Sequence, residues 1–134
     1  MTRAQTSRTD QRSTAFAPLF EAVHEGVFIG TLGAGGDVTL VVNPHLKVMF
    51  GFTAESPDTD VSPFGPARFA DPAAREPFLA SLLEKRVVSG YLVRMRRLDG
   101  TPMWVEITAR AEPAATGTHV EALIRDVSER KKLD

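Results

Sequence analysis

The residues able to do chemistry are few and poorly grouped. Three histidines, His24, His45 and His119, stand far apart, at a helix end, in an early helix and at a strand start. Metal ligation needs donors that converge, and isolated histidines in such settings read as partly exposed groups with no ligand. Cysteine is absent, which removes disulfides, thiolate nucleophiles and thiolate metal sites. Asp58, Asp60 and Asp71 fall in one irregular stretch, the pattern of a solvated acidic loop. Ser128 lies beside Asp126 and Glu129 with no histidine nearby, so helix capping accounts for it without a triad. Gly33-Ala34-Gly35-Gly36 joins two short strands and lacks the Lys-Ser/Thr pair of a phosphate loop. Arg94, Arg96 and Arg97 read as a solvated strand edge without an aromatic stacking platform. No catalytic constellation emerges.

The elements that would position any site are clearer. Residues 1–15 are polar, with no apolar periodicity, and read as a flexible leader. Phe16, Leu19, Phe20 and Val23 then fall at i, i+3, i+4 and i+7, one face of a short amphipathic helix. Strands are expected over 27–32 and 38–42. A helix is expected from Pro44, with Leu46, Met49 and Phe50 on its apolar side. Residues 53–66 are irregular, with prolines at 57, 63 and 66. Pro77 fits only the first turn of a helix beginning near Glu76, whose buried stripe is Phe78, Leu79, Leu82 and Leu83. Strands over about 89–98, 102–111 and 118–127 complete the chain, the first two joined by a two-residue turn at Asp99-Gly100. At Asp126 the alternation gives way to a capped, charged segment, so 128–134 reads as the start of an outgoing helix. That pattern suggests a domain cut from a longer protein.

The expected architecture is α+β: a five-stranded antiparallel sheet with helices on one face and the leading helix on the other. Alternate strand residues face opposite sides. Met103, Val105, Ile107 and Ala109 should look toward the helices, joined by Val93, Met95, Ala122 and Ile124, and by Ile29 and Thr31 of the first strand. The opposite face would carry Phe28, Trp104 and Leu123 among Arg94, Glu106 and Arg125. Three large apolar groups left in water each forgo roughly 1.5–3 kcal/mol of burial. The Phe16/Leu19/Phe20/Val23 stripe, from this chain or a partner, is their natural cover.

Composition sets the outer limits. The 134 residues suffice for one core and leave no room for a second domain. Hydrophobic content of 43% and charged content of 25% are ordinary for a soluble domain. A net charge of −1 argues against a general nucleic-acid partner. No apolar run reaches membrane-span length and no signal peptide opens the chain, so a cytoplasmic location without direct membrane contact is expected.

Several pieces, in order, carry a family resemblance: Glu25-Gly26-Val27-Phe28-Ile29, Val42-Asn43-Pro44 with Phe50-Gly51-Phe52, Arg96-Arg97-Leu98-Asp99-Gly100-Thr101, Trp104-Val105-Glu106-Ile107 and Arg125-Asp126-Val127-Ser128-Glu129-Arg130-Lys131. Over residues 16–127 the chain resembles a PAS domain, with its core and C-terminal PAC motif. The last piece is similar to the Asp-Ile-Thr-type motif that couples such domains to an output helix. The resemblance implies signal coupling through Asp126, Ser128 and Arg130, with Arg130 or Lys131 as the basic partner of Asp126. It also implies a homodimer through the leading helix and outer sheet face.

The same resemblance bears on cofactors. A flavin photosensor of this family uses a reactive cysteine, absent here, and the strand positions where relatives place flavin-holding amides are Met95 and Val105. A haem sensor would take a histidine from the long helix, whose sequence contains none, and a p-coumaroyl photosensor again needs cysteine. Neither flavin nor haem is expected. What remains is an interior lined by Ile29, Thr31, Met49, Phe50, Phe64, Phe69, Phe78, Leu82, Val93, Met95, Met103, Val105 and Ile107. An ordinary filled core is the plainer account; an apolar small-molecule pocket, with Arg68, Arg75 and Thr31 as its polar groups, is the functional one. Three functions compete: a sensory and dimerisation module regulating a linked output domain, above all a histidine kinase, and otherwise a diguanylate cyclase or transcription factor; a free-standing ligand-binding domain; and a small enzyme of ketosteroid-isomerase-like shape. The last would need an inward acid, and none is expected.

Overall fold

The computed structural model describes residues 25–33, 36–115 and 117–129. Strand β1 (Gly26–Leu32) is followed by β2 (Val38–Val42), helix α1 (Pro44–Met49), three single 3₁₀ turns (Asp58–Asp60, Pro66–Arg68 and Pro72–Ala74), helix α2 (Arg75–Lys85), and strands β3 (Val87–Arg96), β4 (Pro102–Ala114) and β5 (Gly117–Asp126). The strands form one antiparallel sheet in the order β2-β1-β5-β4-β3. Each turn in the proline-rich stretch uses Pro at or just before its start, where the missing N–H costs nothing.

Helix α1 begins where its chemistry says it should. Asn43 accepts from the Leu46 N–H at 3.1 Å as N-cap, and Pro44 occupies the first turn. Helix α2 ends at Arg86, which takes a left-handed conformation (φ 65°) and returns its N–H to the Leu82 carbonyl at 2.8 Å. Of the stripe expected on α2, Phe78 and Leu82 are buried and Leu79 packs at the edge of the core; Leu83 is exposed, because the sheet meets a narrower strip of the helix.

The β3–β4 connection departs from the expected two-residue turn. Arg97 N–H bonds the Thr101 carbonyl, Gly100 N–H bonds the Arg97 carbonyl at 2.9 Å, and Gly100 has φ 90°. These are the marks of a three-residue loop, a turn followed by a left-handed glycine. Asp99 selects it: its Oδ1 accepts from both the Thr101 N–H (2.9 Å) and the Thr101 hydroxyl (2.7 Å).

The first strand is turned over relative to expectation. Phe28 is 1% exposed and points into the core, whereas Ile29 and Thr31 are half-buried on the opposite face. The register explains it: Phe28 pairs with Ala122 and Gly26 with Ile124, both inward positions, while Ile29 pairs with Glu121. The expectation of Ile29 and Thr31 inward fails because the true inward set, Gly26, Phe28, Gly30 and Leu32, contains two glycines. Both are required by close approach. A Cβ on Gly30 would lie 2.6 Å from Cζ of Phe28, and one on Gly26 would lie 2.5 Å from Cδ1 of Leu46. Helix α1 packs onto β1 at Gly26, and at Gly30 the Phe28 ring and the Val38 carbonyl fill the space a side chain would need.

Candidate functional site

Between α2 and the sheet, aromatic rings meet in a chain. Phe28 stands edge-on to Phe64 at 5.2 Å between centroids, Phe64 stacks on Phe78 at 5.3 Å, and Phe78 contacts Phe69 at 6.2 Å and Tyr91 at 5.1 Å. Met49, Phe50, Leu82, Val93, Met95, Met103, Val105 and Ile107 are buried around them. Ile29 and Thr31 do not belong to this lining, since the parity of β1 places them outside, and Phe28 belongs to it instead of to the outer face. Val61, Leu46, Val120 and Ile124 are wholly buried too, completing the core.

The polar groups expected to orient a ligand are engaged at the rim. Arg75 donates Nε to the Phe64 carbonyl at 2.7 Å and pairs Nη2 with Asp37 at 3.3 Å. Arg68 donates Nη1 to the Arg96 carbonyl. Thr31 lies across from His119 on the outer side of the sheet. Among the described residues no three His, Cys, Asp or Glu side chains gather as a metal site would require.

The exit of the last strand is more elaborate than its sequence suggested. Asp126 accepts the Ser128 N–H on Oδ1 at 2.9 Å, and Ser128 accepts the Trp104 N–H on Oγ at 3.1 Å. Val127 N–H reaches the Trp104 carbonyl at 2.8 Å. Ser128 and Glu129 then take helical conformation. The ionic partner of Asp126 is Arg97, whose Nη2 lies 3.3 Å from Oδ2. Arg97 Nη1 meanwhile bonds the Thr101 hydroxyl (3.2 Å) and the Pro102 carbonyl (3.3 Å). Arg130 and Lys131, the expected partners, lie outside the described residues. The hairpin loop is tied on its other side as well, because Leu98 N–H bonds the carbonyl of buried Phe50 at 2.9 Å. A continuous set of hydrogen bonds therefore runs from the end of α1 through the hairpin to the start of the outgoing helix.

On the outer face, Trp104 and Val27 are half-buried, and Leu123, Leu92 and Val41 are exposed. Arg94 stands 6.0 Å from the Trp104 ring, so an aromatic does accompany one arginine of this strand. Arg125 spans Glu25 and Glu106 at 3.7 and 3.8 Å. Arg110 bonds Glu121 at 2.7 Å, with His119 3.5 Å from the same carboxylate. That guanidinium holds the Glu121 carboxyl below the usual glutamate range. The stripe Phe16, Leu19, Phe20 and Val23 lies outside the described residues.

Two organising residues escaped sequence reasoning. Asn43, buried, also accepts the Val27 N–H at 2.9 Å and donates Nδ2 to the Glu25 carbonyl at 2.8 Å, clamping β1 to α1. Lys47, buried at the end of its stem, pairs with Asp58 at 2.7 Å, and Asp58 also accepts the Val42 N–H at 3.2 Å. Asp58 is thus a structural tie, whereas Asp71 accepts the Ala73 N–H and caps its own turn. An Asn before Pro hints at the first role; nothing local hints at the second.

No protein-family model matches the sequence, and no curated protein matches it. Solved structures do. A PAS domain from Colwellia psychrerythraea superposes with a TM-score of 0.65 at 18% identity, covering 91% of this chain and 98% of that one. A sensory box histidine kinase/response regulator from Burkholderia thailandensis gives 0.62 at 21% identity, covering 90% and 88%. The PAS domain of a LuxR-family transcriptional regulator from Burkholderia thailandensis, solved in complex with ethanol, gives 0.61 at 16%, covering 84% and 97%. With its strand order and one-sided helices, the chain has the PAS fold.

Proposed function

We propose that this domain is a non-catalytic sensory module that acts as a homodimer and regulates a covalently linked output domain, a histidine kinase first among the candidates. The observation that carries this reading is the bonded exit from β5, where Asp126 and Ser128 join the outgoing segment to Arg97 and Trp104. An output helix launched from a loose joint would lose small displacements of the sheet; this joint has fixed direction. The likeness to a sensory box histidine kinase supports the choice of output. In the polypeptide that carries the domain, Asp126→Ala should uncouple output activity from its stimulus while the domain stays folded. Regulation left intact by that substitution would remove the coupling role.

A second reading, compatible with the first, is that the interior admits a small apolar molecule. Met49, Met95 and Met103 line it, and their flexible thioethers permit repacking; the ethanol-bound relative supports the idea. We propose neither flavin nor haem for this site, in a cytoplasmic protein. The support is a sequence without cysteine, a long helix without histidine, and phenylalanine rings in mutual contact where a planar cofactor would have to lie. Freshly purified protein should be colourless, and a stoichiometric visible absorption band would overturn the cofactor assignment.

A further inference from the structure

Four arginines of the described residues face a carboxylate: Arg75 faces Asp37, Arg97 faces Asp126, Arg110 faces Glu121, and Arg125 faces Glu25 and Glu106. Arg68 and Arg96 instead flank the Phe69–Met95 bridge and bond backbone carbonyls. Arg68, closing the turn Pro66–Arg68, donates Nη1 to the Arg96 carbonyl at 3.0 Å, and Arg96 donates Nη2 to the Ala70 carbonyl at 3.0 Å. Between these contacts Phe69 bridges to Met95, and Ala70 N–H bonds the Arg94 carbonyl at 3.1 Å. Phe69 and Met95 are buried, so both arginines hang from backbone that the core holds in place.

Two guanidinium groups sit near each other, and neither forms an ion pair with a carboxylate among the described residues. Burial, and after it the Arg96 charge, lowers the pKa of the Arg68 guanidinium from its ordinary value. Each guanidinium carries five N–H donors in a planar fork. The two carbonyl contacts engage one nitrogen of each group and leave the other donors for an acceptor. The ordering of two long side chains, usually a large part of the cost of binding, is already supplied by those contacts.

We propose that Arg68 and Arg96 form a binding site for a small oxyanion, a phosphate or carboxylate group, on the rim of the sheet beside β3. Oxyanions match the guanidinium fork with paired, charge-assisted hydrogen bonds. A group bridging both arginines would also relieve their repulsion. The site is separate from the apolar interior and independent of whether that interior holds a ligand.

The test uses the folded protein with ¹⁵N-labelled arginine, titrated with sodium phosphate, sodium acetate and sodium chloride at matched ionic strength. Phosphate or acetate should move the Nε–Hε signals of Arg68 and Arg96 saturably, and chloride should not. Saturation by phosphate alone assigns a phosphate site, and saturation by acetate assigns one that accepts carboxylates. Arg96→Gln and Arg68→Gln should each weaken binding by at least about tenfold, the loss expected for charged hydrogen bonds. Arg94→Gln, on the neighbouring strand position, should leave it within about twofold. Melting in chloride verifies that each variant is folded, and Arg96→Gln stands alone if Arg68→Gln disturbs its turn. Shifts that merely follow ionic strength, or folded variants that bind as the wild type does, would overturn the proposal.

Discussion

Arg97 Nη2 lies 3.3 Å from Asp126 Oδ2, linking a hairpin loop to the end of a strand twenty-nine positions further along the chain. Each side chain keeps about a third of its surface in water (31%), so the ion pair itself contributes little, about 0.2–1 kcal/mol. Its geometric role is larger, because Asp126 simultaneously caps Ser128. Asp126→Asn should therefore lose only the ionic part and Asp126→Ala the cap as well, adding about 0.5–2 kcal/mol. Urea titration of the two variants separates these contributions; equal losses would mean that the cap is idle.

The inverted first strand makes a sharp contrast between neighbours. Phe28→Ala should cost about 3–5 kcal/mol, as removal of a fully buried phenylalanine does. Ile29→Ala, on the half-buried outer face, should cost markedly less. The opposite ranking in denaturant midpoints would return β1 to the orientation its composition suggests.

Asn43 serves three backbone groups from a buried position. Asn43→Ala should lose about 2–3 kcal/mol, since it removes a cap and leaves buried donors unpaired. Asn43→Asp keeps the acceptor for Val27 and Leu46 but loses the donor to Glu25, and should fall between wild type and Asn43→Ala. Faster amide exchange at Val27 and Leu46 in the alanine variant checks the same contacts.

Glu121 gives the outer face a pH dependence of known sign. Its folded pKa is depressed by the Arg110 hydrogen bond, so its contribution is present above the ordinary glutamate pKa of about 4.3 and is lost as pH falls through the lower folded value. Wild type should melt slightly above Glu121→Gln at neutral pH, and the gap should close in acid. High salt should narrow it as well, because the pair is solvent-screened. A gap that widened in acid would contradict the assignment.

The outer face should also need its cover. Phe20→Asp would place a charge in the stripe expected to cover Trp104 and Leu123, the two of its three expected contacts that do lie on the outer face. Both the sedimentation coefficient and the melting temperature should drop. If neither changes, the leading stripe does not rest on this face.

How far the sequence reached depended on the range of the cause. Helix α1 was legible because Pro44 and the spacing of Leu46 and Met49 act over a few residues, and β4 because its inward face is uniformly apolar. The orientation of β1 was not, since glycines that make room for Phe28 and Leu46 add nothing to an apolar count. The hairpin was legible from Asp99-Gly100, but its loop length was decided by the Asp99 bonds to Thr101. That Arg97 pairs with Asp126 depended on strand register, which the local sequence does not show, whereas the resemblance implied Arg130 or Lys131. The engagement of Arg75 was out of reach for a similar reason: its partners, Phe64 and Asp37, lie eleven and thirty-eight positions away.

Both margins of the sheet are occupied by the chain itself. Along β3, Phe69 stands opposite Met95 and Ala70 N–H bonds the Arg94 carbonyl; along β2, Thr39 donates to the Val61 carbonyl at 2.7 Å and Asp58 takes the Val42 N–H. Exposed strand margins invite pairing with other chains, and these two are blunted by short irregular segments. Growth of the sheet by adding a foreign strand is thereby obstructed at Arg94 and Met95 of β3 and at Thr39 and Val42 of β2. A strand from another chain could dock at those positions only after displacing the segments that already hold them.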